Sequence, residues 1–475
     1  MKINSYKYET LFVTLVILFG SILRGYNINF NDFWSDEMVS FYLSNPSLNF
    51  LETIKLIFGS NMMVTYEVTL KFFHKIFGYN IEYSRYLTLI FSIVSIFYFY
   101  KLIRNNKNYY SAILGIVLLS INIYHIRYSI ELRSYTLTFL LALILLNLVF
   151  FKGKIREFKN FFSYLLIFII SFLMLFSHAF SIIIIISINF YILLLWVIEK
   201  KVKKNDIFLF LSTSISSLLF ILIYLNNISH TPPWLPEFKS SFFTNYYFSS
   251  FFGSRILGLI HLLVLLYLII SQFNHVLKKI DIELFFIILF FSTYIIPITY
   301  SFIFEPVLID RYIFFVLIPI LYLLSGLSLD LKNIKKKYIF IFLLVAPSFF
   351  NHFTENTFKQ FYTDIYPSKP EVGKSLEYMV KNNNLNYSFV SVKNNPQNIN
   401  LVYENYLKKY TEKISKNFNY FDYTNNSKLP DNLWLIYFTD ITDKKFSKPI
   451  ELENYKIKSN KILNHLELYQ LKKVY

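Results

Sequence analysis

The chain has 475 residues, of which 55% are hydrophobic and 20% are aromatic, and its mean hydropathy is +0.43. A soluble domain of this length is far more polar, so the composition excludes a single soluble core. The formal charge is +17, but the basic residues form short clusters between apolar runs, which is typical of topology signals and not of a nucleic-acid-binding face. The chain has no cysteine, which excludes disulfides, zinc-thiolate sites and thiol nucleophiles.

Apolar stretches recur along the chain from Leu11 to Phe349. A helix needs roughly 20 mainly apolar residues to cross the hydrocarbon core of a bilayer. We therefore predict an α-helical polytopic membrane protein with about eleven transmembrane helices, the last of them short. The predicted spans are 9–27, 83–103, 109–127, 134–151, 161–177, 179–198, 207–225, 256–274, 283–301, 312–330 and 338–350.

Basic residues are concentrated in every second connection between these spans. Short loops rich in lysine and arginine stay in the cytoplasm, so the alternation predicts a multi-pass plasma-membrane protein with its N-terminus inside. The first loop (28–82), the loop 226–255 and everything after residue 351 are then outside, where we expect the functional residues. The basic clusters are Arg104 with Lys107, Lys152 to Lys159, Lys200 to Lys204, Lys278 with Lys279, and Lys332 to Lys337.

The composition changes near residue 351, where hydropathy falls and Asn, Lys and Asp become common. This change predicts a transmembrane domain over 1–350, which includes the first loop, and a small extracytoplasmic α/β domain over 351–475. We find no catalytic motif in the second domain. Its predicted elements are helices at 370–381 and 400–410 and strands at 387–392, 432–438 and 466–471.

An acidic pair, Asp36 and Glu37, lies in the first outer loop. A carboxylate at this place can deprotonate an acceptor or hold a metal ion. The alternative is a helix cap, because Ser35 followed by two acidic residues suits a helix N-terminus.

A second group of candidates, Glu131, Arg133 and Tyr135, is crowded into the short outer turn after the third span. An unpaired charge that reaches the hydrocarbon costs about 2 to 3 kcal/mol or more. These residues therefore indicate function, a Glu-Arg pair that satisfies itself, or side chains that snorkel to the interface.

Arginines are found at the outer ends of the spans, whereas the inner loops use mostly lysine. Guanidinium groups bind phosphate through two parallel hydrogen bonds, and a lipid-linked phosphate would lie at this depth. The alternative is interfacial anchoring through lipid headgroups. Arg311, followed by Tyr312 at the start of the tenth span, is the preferred phosphate ligand. The six arginines are Arg24, Arg85, Arg127, Arg133, Arg255 and Arg311.

His178 lies in the tight outer turn between the fifth and sixth spans. It is a candidate metal ligand or proton carrier, and the alternative is an ordinary hydrogen-bonded histidine.

Taken together, these residues resemble the GT-C glycosyltransferases of the protein O-mannosyltransferase and aminoarabinose-transferase type, in the bacterial family 39-like branch. The resemblance covers the order of elements along nearly the whole chain. It rests on Phe33-Trp34-Ser35-Asp36-Glu37 in the first loop, Phe77-Gly78 with Ser84-Arg85-Tyr86 before the second span, Glu131-x-Arg133-x-Tyr135 after the third, His178, and Arg311-Tyr312.

The resemblance implies a hexosyl- or pentosyltransferase that moves a sugar from a polyprenyl-phosphate-linked donor to a lipid, glycan or protein acceptor at the outer membrane face, with inversion. It assigns the role of catalytic base to Asp36, with Glu37 beside it and Glu131 in the same pocket. A divalent cation is a candidate cofactor. The substrate-binding side chains that it implies are Arg85, Arg133, Tyr135, Arg311 and Tyr312.

Other classes of membrane protein remain as alternatives. A lipid or glycan flippase or a transporter would carry charges at midspan and an internal repeat, and we see neither clearly. A glycan polymerase or ligase usually has its large loop late in the chain, whereas here the long loop comes first. A noncatalytic scaffold would be favoured if Asp36 and Glu131 proved dispensable.

Overall fold

The computed structural model divides the chain into two compact units. The membrane unit consists of Met1–Tyr26 and Leu43–Thr357, and the C-terminal unit consists of Asn27–Tyr42 and Phe358–Tyr475. The residues that the structure describes are 2–26, 28–29, 31–60, 62–158, 160–227, 248–354, 371–382, 389–393, 419–420, 431–438, 455–463 and 466–474.

The chain is mainly helical as far as residue 353. A two-stranded hairpin joins β1 (Phe150–Phe151) to β2 (Lys154–Ile155), and short 3₁₀ helices in the described part of the chain cover Ala179–Ser181, Asp310–Val316 and Asn351–Phe353. The α-helices are α1 Lys2–Gly25, α2 Ser35–Leu43, α3 Phe50–Gly59, α4 Val64–Phe77, α5 Ile81–Asn106, α6 Tyr109–Ser120, α7 Ile123–Ser129, α8 Tyr135–Val149, α9 Phe161–Leu175, α10 Ile182–Glu199, α11 Lys204–Asn227, α12 Phe248–Phe252, α13 Arg255–Lys279, α14 Ile282–Ile303, α15 Leu317–Leu329 and α16 Ile334–Phe350.

Each predicted span coincides with one of these helices or with a broken pair of them. Among the described residues, seven helices are long and apolar enough to cross a membrane, or eight if α6 and α7, which meet at 59°, form one broken span. The chain is therefore a helical polytopic membrane protein with seven to eight candidate spans. Helices α8 and α9 have 15 residues each and α16 has 17, fewer than the roughly 20 that a span needs. The count of eleven spans stays a prediction.

Asparagines start several of these helices. The side chains of Asn49, Asn80, Asn108, Asn122 and Asn333 each accept a hydrogen bond from a backbone N–H in the first turn that follows. An asparagine at this position satisfies a donor that the helix itself leaves without a partner. The abundance of asparagine before apolar runs therefore sets where the helices begin.

Helix α15 lies in the interior of the membrane unit. It contacts α6, α13 and α14, and it is buried along nearly its whole length. A helix that is apolar on all sides suits such a place, because every face meets another helix. The 3₁₀ segment Asp310–Val316, which directly precedes α15, is held in place by this packing.

The C-terminal unit contains one mixed sheet with strand order β4-β3-β5-β7-β6. Strand β3 runs parallel to β4 and β5, whereas β7 runs antiparallel to β5 and β6. The helix α17 (Val372–Lys381) and three strands match predicted elements, β4 and β6 were not predicted, and the helix predicted at 400–410 lies outside the described residues. The strands are β3 Phe389–Lys393, β4 Asn419–Tyr420, β5 Asn432–Phe438, β6 Tyr455–Leu463 and β7 Leu466–Lys473.

Leu433, Leu435, Tyr455, Tyr469 and Leu471 form a buried apolar cluster in this unit. Trp434 and Ile436, which alternate with the β5 members of that cluster, are also buried, so both faces of β5 are covered. The first-loop residues Asn27–Tyr42 belong to the same compact unit, so α2 begins in it.

Candidate active site

The turn between α7 and α8 carries three of the predicted site residues. It is tight, since the backbone N–H of Arg133 donates to the carbonyl oxygen of Glu131 at 2.7 Å, and it is anchored by the fully buried Leu132. Glu131 is half-buried, and its carboxylate lies 4.0 Å from Nε of Arg127. Arg133 also reaches the sulfur of Met62, 3.4 Å from its Nη1.

His178, in the turn after α9, lies between side chains from the other candidate segments. Its ring centroid is 5.6 Å from that of Tyr135 and 5.3 Å from that of Tyr312. Burial, together with the guanidinium groups of Arg133 and Arg311, lowers the pKa of His178 to about 3. The imidazole is therefore neutral, mainly because it is buried, and the two cations favour the same state. Its Nδ1 is buried and has no hydrogen-bond partner within the described part of the chain.

The 3₁₀ segment Asp310–Val316 supplies Arg311 and Tyr312. The Asp310 carboxylate accepts a hydrogen bond from the backbone N–H of Arg311 at 2.8 Å, and Ile313 departs from helical geometry (φ −102°, ψ 24°). Phe314 is the anchor of this segment, and sequence reasoning missed it. Its ring packs on four others from α7 and α8, which are Tyr124, His125, Tyr128 and Phe139, at centroid distances of 5.1 to 5.7 Å.

Arg85 is fully buried on α5. It lies one helical turn before Thr88, whose hydroxyl donates to the carbonyl oxygen of Ser129 at 3.0 Å. This bond places Arg85 near the contact between α5 and α7, and its assignment as a phosphate ligand stays a prediction.

Asp36 and Glu37 lie on α2, in the C-terminal unit. Glu37 is fully buried, and its Oε2 accepts a hydrogen bond from the backbone N–H of Trp34 at 3.2 Å. A glutamate that reaches back over three residues to the N–H before the helix makes a helix-capping contact. The catalytic assignment of Glu37 stays a prediction. Asp36 is half-buried, and its role as the base stays a prediction.

The six outer arginines do not share one role. Arg24 is fully buried and donates to the carbonyl oxygens of Leu119 and Ser120, at 2.8 Å each, so its guanidinium serves the helix break between α6 and α7. Arg255 is exposed at the start of α13. Arg133 and Arg311 are the two that act together on His178.

No group of three histidine or carboxylate side chains among the described residues is arranged to hold a metal ion. His178 as a metal ligand and a divalent cation as cofactor stay predictions.

Arg133, Tyr135, His178, Arg311 and Tyr312 form a positively charged cluster. Its two guanidinium groups supply several N–H donors, while the imidazole carries no charge at neutral pH. Such an arrangement suits an anion that presents several oxygen atoms, above all a phosphate.

The fold is similar to that of ArnT and of an archaeal oligosaccharyltransferase. ArnT from Cupriavidus metallidurans, in the apo state, superposes with a TM-score of 0.56 and 9% identity over 98% of each chain. The archaeal oligosaccharyltransferase AglB from Archaeoglobus fulgidus, in complex with an inhibitory peptide and a dolichol-phosphate, superposes with a TM-score of 0.54 and 9% identity. The match covers 91% of this chain and 70% of AglB.

The Archaeoglobus fulgidus oligosaccharyltransferase tethered with an acceptor peptide gives a TM-score of 0.50 and 12% identity. The match covers 79% of this chain but only 57% of the longer archaeal protein. At these sequence identities, the structural similarity shows that the chains share a fold and nothing more. No family model matches the sequence, and no curated protein matches it.

Proposed function

We propose that this chain is a membrane glycosyltransferase that moves a hexose or pentose from a polyprenyl-phosphate-linked donor to an acceptor at the outer face of the plasma membrane, with inversion. The observation that carries the proposal is the pair Arg133 and Arg311 beside His178, within a GT-C-like fold. A fold alone does not define chemistry, whereas a pair of guanidinium groups beside an uncharged imidazole selects an anionic ligand.

In this proposal Arg133 and Arg311 bind the phosphate of the donor, and Arg85 assists them. The bond between the anomeric carbon and the phosphate oxygen breaks during transfer, and negative charge accumulates on the departing polyprenyl phosphate. Guanidinium groups that are already in place stabilise that charge without reorganising. The AglB structure with a dolichol-phosphate supports a lipid phosphate as the ligand class for this fold.

Tyr135, Tyr312 and His178 complete the donor site. His178 stays neutral because burial and the two arginines depress its pKa, so its Nδ1 can donate to or accept from a sugar or phosphate oxygen, depending on the tautomer. A charged imidazole would have repelled the arginines that bind the phosphate.

Asp36 acts as the general base in this proposal, which rests on the sequence resemblance. It takes the proton from the acceptor hydroxyl or amine as the acceptor oxygen or nitrogen attacks the anomeric carbon from the side opposite the phosphate. General-base catalysis of this kind contributes roughly a hundred- to ten-thousand-fold in rate. Glu131 contributes indirectly in this proposal, because its ion pair with Arg127 offsets part of the positive charge of that guanidinium.

The test is a transfer assay with the purified protein in lipid vesicles, a panel of polyprenyl-phosphate hexoses and pentoses, and extracts that contain candidate acceptors. Mass spectrometry should detect free polyprenyl phosphate together with a glycosylated acceptor. Asp36→Asn should slow the formation of both products by roughly a hundred- to ten-thousand-fold and leave the melting temperature unchanged.

The same vesicle assay distinguishes sugar transfer from transport of the lipid-linked donor. A flippase would move the labelled donor across the bilayer without cleaving it, and Asp36→Asn would keep that movement. Intact donor on the far side with no released polyprenyl phosphate would overturn the transferase proposal. Chelation of divalent cations in the same assay tests whether a metal takes part.

A further inference from the structure

The segment that carries Asp36 is built into the C-terminal unit, although more than 300 residues of chain separate the two pieces. The side chains of Phe33, Met38 and Phe41 in this segment are buried, and the rings of Phe33 and Phe41 meet edge to face, with centroids 6.1 Å apart. A loop that only covered the membrane surface would leave such residues exposed. The segment is therefore a structural part of the unit that the C-terminal residues form.

One hydrogen bond joins the two pieces at a defined point. The Oδ2 atom of Asp32 accepts from the backbone N–H of Gly373, 2.6 Å away, in the first turn of α17. The first-turn N–H groups of a helix have no partner within the helix, and the positive end of the helix dipole favours an anion there. A carboxylate that caps a helix from a distant segment fixes the position of that segment.

The helix that receives Asp32 is itself firmly packed. Val372, Leu376 and Met379 on one face of α17 are buried. Tyr378 of the same helix meets Trp434 of β5 edge to face, with centroids 6.3 Å apart, and Trp434 is fully buried. The helix that Asp32 caps therefore packs against the core of the sheet.

We propose that Asp32 is a positioning residue for Asp36, and that the C-terminal unit takes part in the reaction by holding the acidic segment. This inference rests on the proposed function of Asp36. Asp32 lies four residues before Asp36, and the bond from Trp34 to Glu37 stiffens the backbone between them. Asp32 itself touches neither donor nor acceptor in this scheme.

The first test compares Asp32→Ala with Asp32→Asn in the full-length protein. Loss of the cap should lower kcat roughly tenfold to a hundredfold, because a small misplacement of a catalytic group is enough for such a loss, and KM for the lipid donor should stay unchanged. Asp32→Asn keeps an oxygen that accepts from Gly373 and should retain most of the activity. Lys374→Gln, which breaks a 2.6 Å ion pair with Glu371 in the same turn, is the matched control and should behave like the wild type.

A double-variant cycle separates positioning from general stability. If Asp32 acts through Asp36, Asp32→Ala should cost nothing further in an Asp36→Asn background. Independent losses that multiply would overturn the inference, as would a wild-type kcat in Asp32→Ala.

A disulfide test adds a readout besides transferase activity, which is formation of the crosslink itself. The chain has no native cysteine, so Asp32→Cys combined with Gly373→Cys introduces the only thiols. Mild oxidation should form an internal disulfide, and the oxidised protein should be more active than the reduced one. Where the wild type transfers a sugar, an oxidised protein that is no more active than the reduced one would overturn the inference. If the disulfide forms but no form of the protein transfers a sugar, it is the proposed function that fails.

Discussion

Arg24 donates from Nη2 to Nδ1 of His125, at 2.9 Å, and so joins α1 to α7 in the interior of the membrane unit. The same guanidinium reaches the carbonyl oxygens of Leu119 and Ser120, which end α6 at the point where the chain bends by 59°. A carbonyl without a partner is costly in a hydrocarbon environment, so a break in an apolar helix needs a donor from elsewhere. Arg24 is that donor.

We predict that Arg24→Leu destabilises the fold without a direct effect on donor binding. The variant leaves several buried carbonyl oxygens without the guanidinium, and the expected loss is at least about 3 kcal/mol. Melting temperature in detergent measures it, with Arg255→Gln as the control because Arg255 is exposed at the start of α13. Equal melting temperatures for the two variants would show that Arg24 does not hold the helix break together.

Arg133 and Arg311, unlike Arg24, should affect the rate of transfer more than the stability of the fold. Replacement of either by glutamine removes a donor that stabilises charge on the departing phosphate, and kcat should fall by about a hundred- to a thousandfold. Arg133→Lys and Arg311→Lys keep the charge but lose the bidentate fork, and should recover only part of the rate. The transfer assay measures both series alongside Arg255→Lys. Near wild-type rates in the glutamine variants would exclude a phosphate site at this place.

Glu37 should act as a cap. Glu37→Gln keeps a side-chain oxygen for the N–H of Trp34 and should retain most of both stability and activity, whereas Glu37→Ala should lower the unfolding free energy by about 1 kcal/mol. Thermal melts and the transfer assay on the two variants check this. A loss of transfer in Glu37→Gln as large as in Asp36→Asn would instead assign catalysis to Glu37.

His74 should make the fold sensitive to acid. Its Nδ1 lies 3.0 Å from the hydroxyl of Ser44 and its Nε2 lies 2.8 Å from the hydroxyl of Ser84, which itself donates to Asn80. Both ring nitrogens are therefore satisfied in the neutral form. Burial lowers the pKa of His74 from 6.5 to about 4, although a bond to the Ser44 backbone opposes this.

The sign of the pH effect follows from proton binding. Between about pH 6.5 and pH 4 the unfolded chain holds a proton on His74 that the native state does not, so stability falls as the pH falls, by about 3 kcal/mol in total from this group. The melting temperatures of wild type and His74→Gln should differ at pH 7 and approach each other toward pH 4. His275→Gln, at an exposed histidine, should run parallel to the wild type, and a parallel course for His74→Gln would contradict the assignment.

Much of the membrane unit was predictable because its signals are local. Hydropathy over about 20 residues locates the apolar helices, and an asparagine before a run, as at Asn80 or Asn108, locates where a helix starts. The resemblance also named Arg133, His178 and Arg311, which the structure brings to one place.

The sequence by itself determined the class of protein, the positions of its apolar helices and the residue types available to bind an anion. Only the tertiary structure decided that Arg24 serves a helix break while Arg133 and Arg311 face His178, and that the Asp36 segment packs with residues beyond Phe358. The reason is physical. The role of a guanidinium or a carboxylate depends on the groups around it, and here those groups come from positions 96 residues away for Arg24 and 341 away for Asp32.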